Sequence, residues 1–158
     1  MNIVIVLGII IAVLFAVTYF TRRRFGVLGL ALCAGYLLST MWTGDVTPWI
    51  EGAGVELVAP PLSSLVAVGL VLLPAVLLLF SGPTYHKKLP RLLGAVLFAL
   101  LAAAFMLGPL GNSLSLDAMG TKVYQQLVDN KNVIITVAIA YALYDLLILK
   151  TPKPKDKK

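Results

Sequence analysis

One cysteine and one histidine in 158 residues leave no cluster of thiolate or imidazole ligands at metal-binding spacing, and a lone Cys33 closes no disulfide. No resident metal or cofactor is expected. Acidic residues are also scarce: seven Asp and Glu against thirteen Lys and Arg give a formal charge of +6, while charged residues make only 13% of the chain. No apolar segment holds the paired carboxylates that acid–base chemistry needs. A surplus of positive charge would suit nucleic acid if a soluble domain carried a basic groove, but 59% hydrophobic residues and a mean hydropathy of +0.95 leave no room for one. The expected partners are a lipid bilayer and its anionic headgroups, and no nucleic acid.

What the chain does have is five long apolar runs, Ile3–Phe20, Phe25–Met41, Leu62–Phe80, Leu92–Leu110 and Val133–Leu149. As helices rising about 1.5 Å per residue they reach roughly 25–29 Å, close to the ~30 Å hydrocarbon thickness. Each is long enough to span. Only a helix satisfies its own backbone in hydrocarbon, and the alternation of a lipid-facing strand is absent, so the fold class is all-α, a polytopic transmembrane helix bundle. The expected organisation is one transmembrane domain over residues 1–150 with five spanning helices, followed by a basic cytoplasmic tail over 151–158. Arg22, Arg23 and Arg24 follow the first run instead of preceding it, which reverses the order of a cleaved export signal and marks a retained helix.

The basic residues alternate between gaps. Arg22 to Arg24 fill the first gap, Lys87, Lys88 and Arg91 the third, and Lys150, Lys153, Lys155, Lys157 and Lys158 the tail, which accounts for eleven of the thirteen. The second gap carries Asp45, Glu51 and Glu56 with no Lys or Arg, and the fourth balances Asp117 and Asp129 against Lys122 and Lys131. Short basic loops stay on the cytoplasmic side, so the N-terminus is expected outside and the C-terminus inside, with Arg22, Arg23, Arg24, Lys87, Lys88, Arg91 and Lys150 facing headgroups. Trp42, Trp49, Tyr141 and Tyr144 stand where amphipathic rings anchor at the interface. The second gap, broken by Gly44, Pro48, Gly52, Gly54, Pro60 and Pro61, predicts at most a short interfacial or re-entrant piece over Pro48–Val58. In the fourth gap Leu116, Met119, Val123, Leu127 and Val128 recur at helical spacing and predict a short amphipathic helix on the outer surface, with Asp117 near its positive end.

Small residues recur every four positions at Gly8, Ala12 and Ala16, at Ala95, Ala99 and Ala103, and at Ala31 and Gly35. Such stripes let helices approach closely and are expected to face other helices, within one bundle or between identical chains. Pro74 removes a backbone donor from the middle of the third run and predicts a kink that shapes packing. Asp145 is the one Asp, Glu, Lys, Arg or His inside a run, and its closeness to Lys150 predicts a half-exposed carboxylate paired with that lysine or with an arginine near the membrane surface. His86 sits beside lysines in a basic turn, and no serine has a visible base partner. Catalytic chemistry is not expected.

Arg24-Phe25-Gly26 leads from a short basic turn into a Gly-rich second helix, and Leu89-Pro90-Arg91-Leu92-Leu93-Gly94 opens an Ala-rich fourth helix. With an N-out first helix and an outer loop holding Trp and Pro, this order over about residues 1–110 resembles the colicin V production protein (CvpA-like) family of small bacterial inner-membrane proteins. The fifth run departs from that family's four helices and polar C-terminal region. The resemblance implies a non-enzymatic role in toxin export or cell-envelope maintenance, with no catalytic residues to carry over.

Two readings follow from the residues: an accessory or structural protein of a bacterial or archaeal cytoplasmic membrane, or a channel or transporter component acting as an oligomer. Either places the chain in a homo-oligomer or in a larger membrane complex. Reporter fusions test the orientation beneath both. A fusion to the tail is expected to read cytoplasmic and one in the second gap external; reversed sides would overturn the assignment.

Overall fold

The computed structural model describes residues 3–54, 61–80, 84–85, 88–111 and 118–148. They form six helices: α1 (Ile3–Thr21), α2 (Phe25–Gly52), α3 (Leu62–Phe80), α4 (Lys88–Gly111), α5 (Ala118–Asp129) and α6 (Lys131–Leu147). Among the described residues no strand forms, and one isolated antiparallel bridge joins Arg23 to Thr84. The class is all-helical, and α2, α3 and α4 are each long and apolar enough to cross a membrane.

The centre is α4, which packs against each of the other five helices. Its stretch Leu101–Leu107 is buried without interruption, a pattern a helix adopts only when it is surrounded. Phe98, Leu101, Ala102 and Phe105 of α4 meet Phe25, Leu28 and Leu32 of α2, Val71 and Ala75 of α3, and Ala138 and Ala142 of α6. Tyr36 stacks on Phe105 with ring centroids 4.6 Å apart.

The second helix is longer than its apolar run. Instead of breaking after Met41, α2 continues through Gly44 and Pro48 to Gly52, so Pro48–Gly52 is the last turn of that helix and not a separate re-entrant piece. Residues 55–58 of the expected piece lie outside the described residues. Proline at 48 removes only one donor, and the hydroxyls that compete for the backbone are turned inward along the helix: Thr43 Oγ1 donates to the Ser39 carbonyl at 2.6 Å and Thr47 Oγ1 to that of Thr43 at 2.7 Å. The stop comes at Gly54, whose φ of +87° is the left-handed conformation that ends helices, with its N–H on the Glu51 carbonyl at 2.9 Å. At about 1.5 Å per residue α2 is roughly 42 Å long, about 12 Å more than the hydrocarbon core.

The amphipathic helix of the fourth gap is α5. Leu127 and Tyr124 pack against Ala103 and Leu107 of α4, and the Tyr124 hydroxyl donates to the Leu107 carbonyl at 3.3 Å. Val128, one position further round, is exposed rather than on the packed face, and Leu116 and Asp117 lie outside the described residues.

The two longer stripes of small residues fare differently. Ala95, Ala99 and Ala103 are buried as expected, but Gly8 and Ala12 are exposed and Ala16 is only half-buried. Volume explains the difference. The alanines of α4 already provide the depression, so α1 turns its larger side chains inward: Ile11 packs on Ala103 and Leu107, Leu14 on the main core, and Thr18 is buried.

Pro74 has a packing role. Its missing N–H releases the carbonyl of Leu70, and Gly35 of α2 lies against the carbonyls of Leu70 and Val71, so closely that a Cβ at position 35 would overlap the latter. Glycine lets α2 approach both carbonyls, that of Val71 most closely, at a distance that no other residue allows. Gly35→Ala is therefore expected to lower the melting temperature in detergent, by an amount equivalent to about 1–3 kcal/mol. Gly44→Ala, with open space around it, should be neutral or slightly stabilising. Equal effects at the two sites would sink the packing account.

Candidate functional site

Only Arg22, Arg23 and Arg24 separate α1 from α2, and that short reversal places Arg22 at φ +56°. The turn lies alongside Thr84 and Tyr85 of the α3–α4 connection, with the Tyr85 N–H on the Arg22 carbonyl at 2.7 Å. The described parts of two basic gaps therefore meet at one end of the bundle.

Helix ends are closed here by side chains from elsewhere in the chain. Arg23 Nε donates to the Leu79 carbonyl at 2.8 Å and a terminal nitrogen to that of Phe80 at 2.9 Å, covering the last turn of α3. Arg91 Nε donates to the Tyr19 carbonyl at 2.6 Å, and its guanidinium carbon stands 3.9 Å above the Tyr19 ring, closing α1. Both cations sit where helix dipoles favour them. At the start of α2 the polarity reverses: Phe25 N–H donates to the Tyr85 hydroxyl at 3.2 Å, and Gly26 N–H donates to Asp145 Oδ2 at 3.0 Å. The Tyr85 hydroxyl bonds the same carboxylate.

Asp145 thus departs from its expected setting. It is 6% exposed, not half-exposed, and its described partners are a backbone N–H and a phenol. Lys150 lies outside the described residues, and Arg24, the arginine nearest in kind to the expected partner, lines the same cavity as Asp145. Glycine makes the approach possible: a Cβ at Gly26 would stand 2.8 Å from the Ala142 carbonyl oxygen and 3.1 Å from Asp145 Oδ2. Gly94 does the same for Tyr85, since a Cβ there would lie 3.1 Å from the ring and 3.1 Å from the Phe25 Cβ. Both glycines belong to the short motifs at the starts of α2 and α4, so those motifs have a packing reason of their own. Burial pushes the Tyr85 phenol above its ordinary value, the Phe25 N–H opposes that, and the Asp145 charge adds to it. Tyr85 stays a neutral donor throughout the physiological range.

A cavity of about 420 Å³ opens beside this network. Arg24, Tyr85 and Asp145 supply its polar wall, and Tyr141, Tyr144 and Ile148 of the α6 end complete much of the rest. The Arg24 guanidinium carbon is 5.5 Å from the centre of the Tyr85 ring. Of the other residues expected at headgroups, Arg22 and Lys88 are exposed, while Arg23 and Arg91 are partly buried and spent on helix ends. Lys87 lies outside the described residues. Sequence reasoning passed over Tyr85, whose neighbours His86 and Lys87 made the segment read as a charged turn.

The chain is thus an all-helical bundle with three helices able to cross a membrane and one polar, cavity-bearing end. No family model matches it, and no curated protein or solved structure does.

Tyr85→Phe strands the Phe25 N–H and removes a donor from Asp145, so a loss of about 1–3 kcal/mol is expected in thermal or denaturant unfolding. The raised phenol also fixes a pH dependence. Below about pH 10 the folded and unfolded chains both hold the proton and the stabilisation is complete; above it the unfolded chain releases the proton first and the stabilisation fades. The advantage of wild type over Tyr85→Phe should shrink as pH rises past about 10, and a constant gap would refute the buried-phenol account.

Proposed function

We propose that the chain is a non-enzymatic accessory or structural protein of a bacterial or archaeal cytoplasmic membrane, spanning it five times with its N-terminus outside, and working as a subunit of a larger complex. The observation that carries this reading is the use made of its polar groups. Arg23, Arg91, Tyr85 and Asp145 are engaged in closing helix ends, and the core between them is apolar and built from alanine, leucine and phenylalanine. Such a molecule offers rigid apolar faces to neighbours. The shared position of Arg22 to Arg24 and Arg91 at one end supports placing that end inside. A part in toxin export or envelope maintenance rests on the CvpA-like resemblance alone.

A second reading, a channel or transporter component acting as an oligomer, draws on the exposed Gly8 and Ala12 of α1, a small-residue face available to another copy. Pro74 gives it no help, because the carbonyl it frees is covered by α2.

Extraction from native membranes in mild detergent, followed by mass measurement of the assembly, separates the two. A defined complex with other polypeptides is expected; a homo-oligomer that conducts solute in vesicles would replace the accessory reading, and release by carbonate washing would overturn membrane integration itself.

A further inference from the structure

Closing the helix ends does not exhaust the groups around the cavity at the basic end. A carboxylate has room for about four donors, and Asp145 has two described ones, Gly26 N–H and the Tyr85 hydroxyl. Its charge is buried, which costs free energy until a cation approaches. Arg24 stands on the same cavity with its guanidinium carbon 5.5 Å from the centre of the Tyr85 ring, and its five N–H donors are more than that contact uses. Tyr141 and Tyr144 line the same cavity and bring aromatic rings of the kind that attract an ammonium group, with Pro90 and Ile148 as apolar wall. The cavity therefore pairs one fixed anion with one fixed cation, at the end of the bundle where lipid headgroups lie if α2, α3 and α4 cross the bilayer.

We propose that this cavity binds the phosphoethanolamine headgroup of a membrane lipid, with the ammonium on Asp145 among the tyrosine rings and the phosphate on the edge of Arg24. The chemistry selects against the alternatives. An anionic glycerol headgroup brings no cation to the buried carboxylate. Choline has no N–H to donate to it, and its three methyl groups hold the positive charge away from the oxygens. A primary ammonium joined to a phosphate matches both walls at once, at a volume of about 420 Å³ that falls within the range of small-molecule sites. The proposal rests on membrane integration, which carbonate washing reads separately and without reference to any lipid.

The test is lipid retention in native mass spectrometry. The intact protein is presented with phosphatidylethanolamine, phosphatidylglycerol and phosphatidylcholine at equal concentrations in detergent. Wild type is expected to retain phosphatidylethanolamine about tenfold over either competitor, the scale of one charge-assisted hydrogen bond. Arg24→Gln should lower retention of all three lipids, since each carries the phosphate, and Ile148→Trp should abolish the preference. The second fills the cavity while leaving both charges in place, and melting temperatures measured alongside show that each variant is folded. Equal retention of the three lipids, a preference for phosphatidylglycerol, or a preference that survives Ile148→Trp would overturn the proposal. Displacement of the lipid by soluble glycerophosphoethanolamine at the same concentration would overturn its assignment to a membrane lipid.

Discussion

A helix that ends near hydrocarbon leaves carbonyls or N–H groups that water does not readily reach, and the bundle is arranged around meeting that demand at its basic end. In each case the closing group comes from elsewhere in the chain. The α1–α2 turn closes α3 through Arg23, α4 closes α1 through Arg91, and α6 together with the α3–α4 connection closes α2 through Asp145 and Tyr85. Each bond is worth about 1 kcal/mol in net terms, and more where the alternative is an open group in a dry setting. Their larger effect is on arrangement. Apolar helices pack against one another with little preference for partner or depth, whereas a bond from Arg23 to Leu79 or from Gly26 to Asp145 fixes which ends are neighbours and at what height.

Close approach follows from the same requirement. For Asp145 to reach the backbone of residue 26, the two helices must come within a distance that excludes a Cβ, and glycine at 26 supplies it. Gly94 makes the matching recess for Tyr85 and Phe25, and Gly35 brings α2 against the carbonyls beside Pro74. Glycine at these three positions marks where backbone meets backbone or a polar anchor. The exposed Gly8 and Ala12 show that spacing alone does not confer that role: the face of a helix that turns inward is set by what the partner already lacks in volume.

That contrast also explains what the sequence makes legible. The apolar runs are readable because hydrocarbon thickness sets a length that any sequence must meet, and α3 occupies its expected bounds, Leu62–Phe80. The continuation of α2 past Met41 was not readable, because Gly44 and Pro48 break helices in general and only the surrounding hydroxyls and the left-handed Gly54 show where this one stops. Asp145 was legible as unusual but not as buried. Its partner is the N–H of Gly26, 119 residues away, and an N–H is a group that almost every residue carries. Tyr85 gave still less warning, since a tyrosine in a basic turn looks like an interfacial anchor until the recess formed by Gly94 is known.

The distribution of Arg and Lys then acquires a second meaning. All four arginines lie at the basic end, in the first and third gaps, and the five basic residues of the tail are all lysine. A topology signal needs only positive charge, which either residue supplies. Spanning two successive carbonyls, as Arg23 does, or bonding a carbonyl while lying over a ring, as Arg91 does, needs a planar group with several fixed donors. An ammonium is a single hydrated point on a flexible stem and does neither as well. Among the described arginines, Arg23 and Arg91 therefore serve the fold, while Arg22 and Arg24 keep donors for what lies outside it. Exchanging all four for lysine would preserve the net charge and the orientation signal, yet remove the contacts that hold α1 and α3 in register.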